Sequence, residues 1–447
     1  MARRSSKTFR VIIGIIVAIV GLTLLVLLIG VIVDKVTQPS IKRAGDEALE
    51  YLTNLKRDEP GNAWDFYSLA IEKSRDIKSD KILSRYLNGN IEVTQEIMKT
   101  ILDNLEIIEK IMEGARQEFY SYPYEYEKGA EAELPDYMSL RKAVSVTCAK
   151  AFYDLENGRT DASLNGLFSV MIVGKHIASG APMLIDQMIG IVIVDKALKV
   201  LEIGISSGTF NDSQLESIAE FLVDLEKHWP LLSTALDGDS KTMKISFAKS
   251  QKGYSSLFFG SESESKFIRV FVFRFICWRH FFSPKLSFLR GFKYMEDYIS
   301  ELKEIEEESM KWEKRAEAKK REDELQEKIK VYCKRNLLFG FVIPNVFSMH
   351  RRKLEYITKI RMLHLSSEIS SFRLESGRFP QSLEEIAKYL VVDFNTGKVW
   401  EYTNYEDSVT IFSPGPDISD KKDDISITLT GLGIKQYLAK RRKPHKK

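Results

Sequence analysis

The chain is poor in the residues that usually mark small-molecule chemistry. Its 447 residues hold three cysteines, Cys148, Cys277 and Cys333, an odd number set far apart, which excludes a disulfide framework and a zinc-ligand spacing. Buried free thiols are the expectation. The six histidines, His176, His228, His280, His350, His364 and His445, are scattered, and none falls in a His-Glu-x-x-His or His-x-His arrangement. No Gly-x-x-x-x-Gly-Lys phosphate loop occurs, so P-loop phosphoryl chemistry is excluded. An excess of one charge is lacking too. Lys and Arg number 66 against 63 Asp and Glu, and a chain so balanced has no global field to steer nucleic acid. Nucleic acid is therefore set aside as a partner.

What the chain does have is one long apolar run. Val11 to Val33 is 23 residues without a charge, enough as a helix to cross a hydrocarbon core of about 30 Å with some tilt. It exceeds the roughly 7–15 residues of a signal-peptide core and ends in Val31-Ile32-Val33-Asp34-Lys35 rather than a small-residue cleavage site. A retained transmembrane helix in contact with the lipid bilayer is expected. Arg3, Arg4, Lys7 and Arg10 precede it, against Lys35, Lys42 and Arg43 after it. That bias favours a cytoplasmic N-terminus and a periplasmic or otherwise extracytoplasmic body from residue 35 on.

Residues 36 to about 255 read as successive amphipathic helices, among them Ala44–Leu55, Ala63–Ser74, Ile91–Tyr120, Tyr137–Leu155, Asp161–Ala178, Met183–Ile205 and Asp212–Lys227. Glu59-Pro60-Gly61-Asn62 and Glu156-Asn157-Gly158-Arg159-Thr160-Asp161 punctuate them with stop and start residues. Leu155–Leu164 resembles the turn between paired helices of helical-repeat proteins, yet no second copy follows at a fixed period, so an irregular multi-helix domain is expected. The stripe of Met171, Ile172, Met183, Met188 and Ile189 reads as core.

Residues 266–293 interleave aromatic residues with Arg269, Arg274, Arg279 and Lys285, and include Trp278. Such a stretch cannot span a bilayer with three arginines at depth. It reads either as a buried helix whose arginines pair with acids elsewhere, or as an interfacial helix with Trp278 among the lipids and Arg269, Arg274 and Arg279 at the phosphates. Glu296–Lys330 changes texture, with 22 charged residues in 35. It is expected to be a long, solvated spacer helix, whose first half could dock along Tyr298, Leu302, Ile305, Ser309, Trp312 and Ala316 while the second half has only Leu325 and Ile329.

Near the C-terminus a series of segments comes in order. Leu337–Val346 is apolar and contains Pro344; an amphipathic helix follows with Met362, Leu365, Ile369 and Phe372 on one face. Phe372-Arg373-Leu374-Glu375-Ser376-Gly377-Arg378-Phe379-Pro380 closes it, Gly377 being suited to the left-handed helix stop and Pro380 to preventing resumption. Then come Asp393-Phe394-Asn395-Thr396-Gly397-Lys398, short strands at Val399–Tyr402, Val409–Ser413 and Ile425–Thr428, and Ser413-Pro414-Gly415-Pro416-Asp417 leading to Asp423-Asp424. Taken in this order, residues 337–427 resemble the major pseudopilin of bacterial type II secretion and, more loosely, type IV pilins. The chain as a whole is similar to long anchored proteins of planctomycete-type bacteria. Phe394 stands where the pseudopilin turn usually has proline, and the pilin-like helix lies far from the chain start, so assembly into a pilus is not implied.

The resemblance also implies a calcium loop. Asp417, Ser419, Asp420, Asp423 and Asp424 supply five side-chain oxygen donors within eight residues, the donor type calcium prefers. The other reading is a plain acidic surface loop, partly neutralised by Lys421 and Lys422. No catalytic residue is assigned.

The expected fold class is mainly α, with a leader at 1–10, the anchor at 11–33, a helical domain at 36–293, a charged spacer helix at 294–335, a pseudopilin-like α+β module with a short antiparallel sheet at 337–430, and a basic tail at 431–447. The expected role is that of a non-enzymatic envelope protein with structural or protein-interaction duties and protein partners in the cell envelope. An anchored enzyme with a pocket in the helical domain, and a lipid-contacting helical protein, are the alternatives.

Overall fold

The computed structural model describes residues 2–57, 59–78, 80–180, 183–249, 283–309, 314–335, 344–386, 393, 395–396, 398–405, 407–415, 421 and 424–442; at 2–19, 80, 315–316, 335 and 344–347 it describes backbone alone. The chain is mainly helical, with one small antiparallel sheet near the C-terminus.

Helix α1 spans Ala2–Asn54 without a break. It is long and apolar enough to cross a membrane. Its 53 residues make a rod of about 80 Å. Two environments divide it. Leu22, Leu24, Leu25, Leu28, Ile32 and Val36 are exposed, whereas Ile41, Ala48 and Leu52 are buried against the body. The junction is tied down by Asp34, which accepts hydrogen bonds from Ser283 Oγ at 2.5 Å and from the Lys285 amide at 3.3 Å. Further along, Gly45 lets α1 approach helix α10 (Leu232–Lys249) so closely that a Cβ there would overlap that of Ala248.

The central body is built from α2 (Ala63–Ser74), α3 (Asp80–Leu87), α4 (Gln95–Asp103), α5 (Leu105–Ala115), α6 (Tyr137–Glu156), α7 (Thr160–Gly180), α8 (Leu184–Ser207) and α9 (Asp212–Lys227). Their starts are fixed locally. The side chains of Asn62, Thr94, Asp136 and Asn211 each accept a backbone N–H of the first turn that has no helical partner, and Asn211 forms a full capping box with Gln214. Helices α7 and α8 cross at glycines. A Cβ on Gly190 would run into the Gly174 carbonyl and Ala178, and one on Gly174 would meet Val194. The stretch expected as one helix over Ile91–Tyr120 is instead two, because Asn104 leaves helical geometry (φ −122°, ψ 24°) between α4 and α5.

The charged segment also differs from a single spacer helix. Among the described residues it forms α11 (Pro284–Ser309) and α12 (Arg315–Arg335), which run antiparallel. Arg321 pairs with Glu308 and Glu304, Lys328 pairs with Glu301, and Tyr332 stacks on Tyr294 at 3.6 Å. The reason is the apolar stripe: Tyr298, Leu302 and Ile305 on one helix and Leu325 and Ile329 on the other are all buried. A few apolar residues at helical spacing suffice to dock two highly charged helices.

Helix α13 (Pro344–Ser376) packs on α8, α9 and the sheet. It stops at Gly377, whose φ of 74° is left-handed and whose amide donates to the Arg373 carbonyl at 2.9 Å. Strands β1 (Glu401–Tyr405), β2 (Ser408–Ser413) and β3 (Ile425–Leu429) pair in that order, with Thr403 opposite Thr410 and Ile411 opposite Ile427. The first strand starts at Glu401 and reaches Tyr405, later than expected. A single apolar cluster links Phe152, Leu198 and Leu222 of the helical body with Ile360, Leu365, Val409 and Ile427. Helix α14 (Ile434–Arg442) closes the described chain by returning to α8 and α6. A second cluster joins Ile41, Phe247, Phe288, Ile305, Ile329 and Met349 beside α1.

Candidate functional site

Of the proposed cation ligands, Asp417, Ser419, Asp420 and Asp423 lie outside the described residues. Asp424 stands just before β3 and borders a polar pocket of about 510 Å³ between α8 and α13. There Asp195 bonds Lys359 at 2.7 Å and Lys199 at 2.8 Å. Burial raises the Asp195 pKa, and the two lysines more than reverse it, holding the carboxyl below its usual range. This acid and base neutralise each other across the two helices, an arrangement that clamps α13 to α8. Among the described residues, no cluster of three or more His, Cys, Asp or Glu side chains is placed to hold a metal ion. The interfacial candidates Arg269, Arg274, Trp278 and Arg279 also lie outside the described residues.

Two of the segments quoted from the sequence meet in space. The Asp393 carboxylate accepts from the Asn395 amide at 2.9 Å, Thr396 Oγ1 at 3.1 Å and Ser413 Oγ at 3.0 Å. Asn395 Nδ2 donates to Thr358 Oγ1 of α13 at 2.8 Å and to Ser413 Oγ at 3.3 Å. Thr358, Asp393, Asn395 and Ser413 are all buried. Burying polar groups is costly unless they are bonded; with Asn395 Oδ1 the exception, this knot fastens the Asp393 turn, the end of β2 and α13 to one another.

The histidines give no catalytic constellation among the described residues. His176 is a core group, with Nδ1 at 2.9 Å from Tyr67 Oη, and burial lowers its pKa to about 4. Cys148 is buried, which pushes its thiol up to about 12, far from a reactive thiolate. Gly204-Ile205-Ser206-Ser207-Gly208 spells the Gly-x-Ser-x-Gly of a nucleophile elbow. It lies at the C-terminal end of α8, however, not in a strand-to-helix turn. The Ser206 and Ser207 carbonyls there receive the Thr430 and Gly433 amides at 2.9 and 2.7 Å.

The feature that sequence reading passed over is a pocket of about 580 Å³ between α8, α10, α11 and the start of α13. Five of the chain's 12 methionines, Met183, Met188, Met243, Met295 and Met349, line it together with Phe247, Phe288 and Phe292. Met183 is buried in the core as expected and Met188 packs against the second cluster; both also border this cavity. Its polar corner is Asp239, Ser240 and Thr242 on α10. Among the described residues Asp239 takes a single long bond, 3.4 Å from the Leu184 amide, and burial raises its pKa to about 7. Behind it, Asp186 accepts bonds from Tyr124 Oη at 2.8 Å and from Tyr137 Oη. Burial raises the Asp186 pKa well above the carboxylate range; the Tyr124 bond opposes that rise and the nearby Asp239 adds to it. The lining residues come from segments far apart in sequence, so no local pattern announces the site. The one available signal was methionine content, which a core shares.

No known protein family, curated protein or solved structure matches this chain.

Proposed function

We propose that the chain is a membrane-anchored, non-enzymatic envelope protein, held by Val11–Val33 with its N-terminus in the cytoplasm and its body outside. The observation that carries this reading is α1, whose apolar part is exposed while its continuation is buried in the body. Bare leucines along one rod are costly in water and neutral in lipid. The pseudopilin-like region, 337–427, is read as an interaction module for secretion or pilus-like machinery. A long helix laid on a three-stranded antiparallel sheet and the Asp393 knot support it, in keeping with the order of the resembling segments.

Crosslinking in native membranes followed by affinity purification of the full chain tests the role. Secretion or pilus components are expected among the partners, and their absence counts against it. Calcium at the Asp417–Asp424 loop belongs to the same reading, with Asp417 and Asp424 as preferred ligands. Calorimetry of the full chain with calcium is expected to show binding that is lost in Asp424→Asn. An enzyme remains the second reading, favoured by the ion-paired pocket of Asp195 and Lys359.

A further inference from the structure

Asp186, in the first turn of α8, is only 1% exposed. Its Oδ1 accepts from Tyr124 Oη at 2.8 Å and from Tyr137 Oη, and the two phenol oxygens lie 3.0 Å apart. Its Oδ2 is sealed from solvent and has no partner among the described residues. The side chains that bond this carboxyl are thus neutral hydroxyls. A buried carboxylate needs a cation or several strong donors to offset its lost hydration.

The groups around it supply no cation among the described residues. Tyr120 and Tyr126 also face it, their pKa values raised by burial and then by a charge on Asp186, and Asp239 of α10 adds a second acid. The bases of the surrounding helices are engaged elsewhere. On α10, Lys241 pairs with Asp237, Lys244 with Glu296 and Lys249 with the Glu127 carbonyl, while His176 of α7 meets Tyr67. Lys42, Arg43, Asp46, Glu47 and Glu50 of α1 are exposed, and Lys56 lies over the Tyr126 ring at 5.4 Å. The site fits the protonated acid.

Position gives that proton a mechanical role. The tyrosines belong to the connection between α5 and α6, which acts as a strap. Tyr124 and Tyr126 share an apolar cluster with Ala48 and Leu52 of α1, Met183 before α8, and Ile245 of α10. Gly129 (φ 60°) lies so close to α10 that a Cβ would strike Ser246, whose Oγ accepts the Ala130 amide at 2.7 Å. Asp186 is the group through which α8 bonds this strap.

We propose that Asp186 is a proton-operated latch: as the neutral acid it seats the strap on α8 and, through the strap, the buried end of α1, and when the proton leaves, strap and helix end loosen together. The sign follows from linkage. A carboxyl that is neutral when seated and ionised when released holds the strap fully below its released pKa of about 4, and the hold weakens as pH climbs toward the seated value. Over that range opening becomes about tenfold easier per pH unit. Hydrogen–deuterium exchange of the full chain in detergent, mapped by mass spectrometry and corrected for the intrinsic rate, reads this between about pH 5 and about pH 8.

Protection of peptides from residues 122–136 should fall by that factor, and the peptide holding Ala48 and Leu52 should follow, while α9 keeps its protection. Asp186→Asn, which stays neutral, should flatten the slope; Asp239→Asn should keep it. Tyr124→Phe removes one bond and leaves the acid, so it should lower protection alike at every pH without changing the slope. Infrared spectra at about pH 8 should show a protonated-carboxyl stretch that moves in Tyr124→Phe and is missing from Asp186→Asn. A parent without a slope, or a slope that survives in Asp186→Asn, overturns the latch. A sloping strap beside an unchanging Ala48–Leu52 peptide overturns the coupling to α1. If Asp186→Asn does not fold, a carboxyl stretch unmoved by Tyr124→Phe overturns the proposal instead.

Discussion

Two parts of the molecule solve packing in opposite ways. In one, α6 to α9, α13 and the sheet form a tight core in which Leu198, Leu201, Ile369, Val409 and Ile411 are fully buried and glycines let α7 and α8 touch. In the other part, α1, α10, α11 and α12 share a second cluster built largely of phenylalanine and methionine, and α10 and α11 border a cavity. The first is built for one arrangement. The second is looser, with Met188 and Met243 half-buried beside the cavity.

If this contrast is right, the largest effect belongs to Gly190→Leu, which forces a side chain into the Gly174 carbonyl. At least about 3 kcal/mol of stability should be lost, read from the guanidinium chloride midpoint of the full chain in detergent. Next is Glu306→Ala at the seam between the two regions. Glu306 pairs with Lys353 at 2.6 Å and accepts the Leu232 and Ser233 amides at 2.8 Å each. Burial raises its pKa, and Lys353 with the amides brings it below normal. Removing it strands a buried ammonium and two helix-start donors, for about 3 kcal/mol. The same depressed pKa means that its contribution is present at neutral pH and fades as pH falls below the carboxylate range.

A matched pair sharpens the comparison. Leu198→Ala should cost about 3 kcal/mol, as a void in close packing does, and Met243→Ala about 1, since its neighbourhood already has room. Equal losses would break the distinction. An effect of opposite sign belongs to Asp239→Asn. The Asp239 pKa is raised from 3.8 to about 7, so the folded state holds the proton more tightly and stability declines as pH climbs between those values. The asparagine variant should match the parent near about pH 4 and exceed it by about 2 kcal/mol at about pH 8, allowing for solvent reaching the pocket.

Much of the helical order was legible. Ala63–Ser74 and Asp212–Lys227 could be read to the residue because Asn62 and Asn211 cap them, and Gly377 marked the end of α13. Local chemistry is written locally. Asn104 was missed as a break because asparagine within an apolar-periodic stretch is no strong stop. The apolar positions of α11 and α12 were visible, but so few among so many charges read as a solvated spacer rather than as two helices docked on each other. Of the candidate sites, the acidic loop was visible as a run of donors, while the methionine pocket was not, since its walls come from five stretches between Ala130 and Met349.

The unbroken course of α1 has a mechanical meaning. A joint would let the body swivel on this helix; a continuous helix of about 80 Å, held against the body at Asp34 and Gly45 on either side of Pro39, behaves as a lever. A tilt or twist at its apolar end would therefore reach α10 and α11, which pack on it, rather than be lost between helix and body.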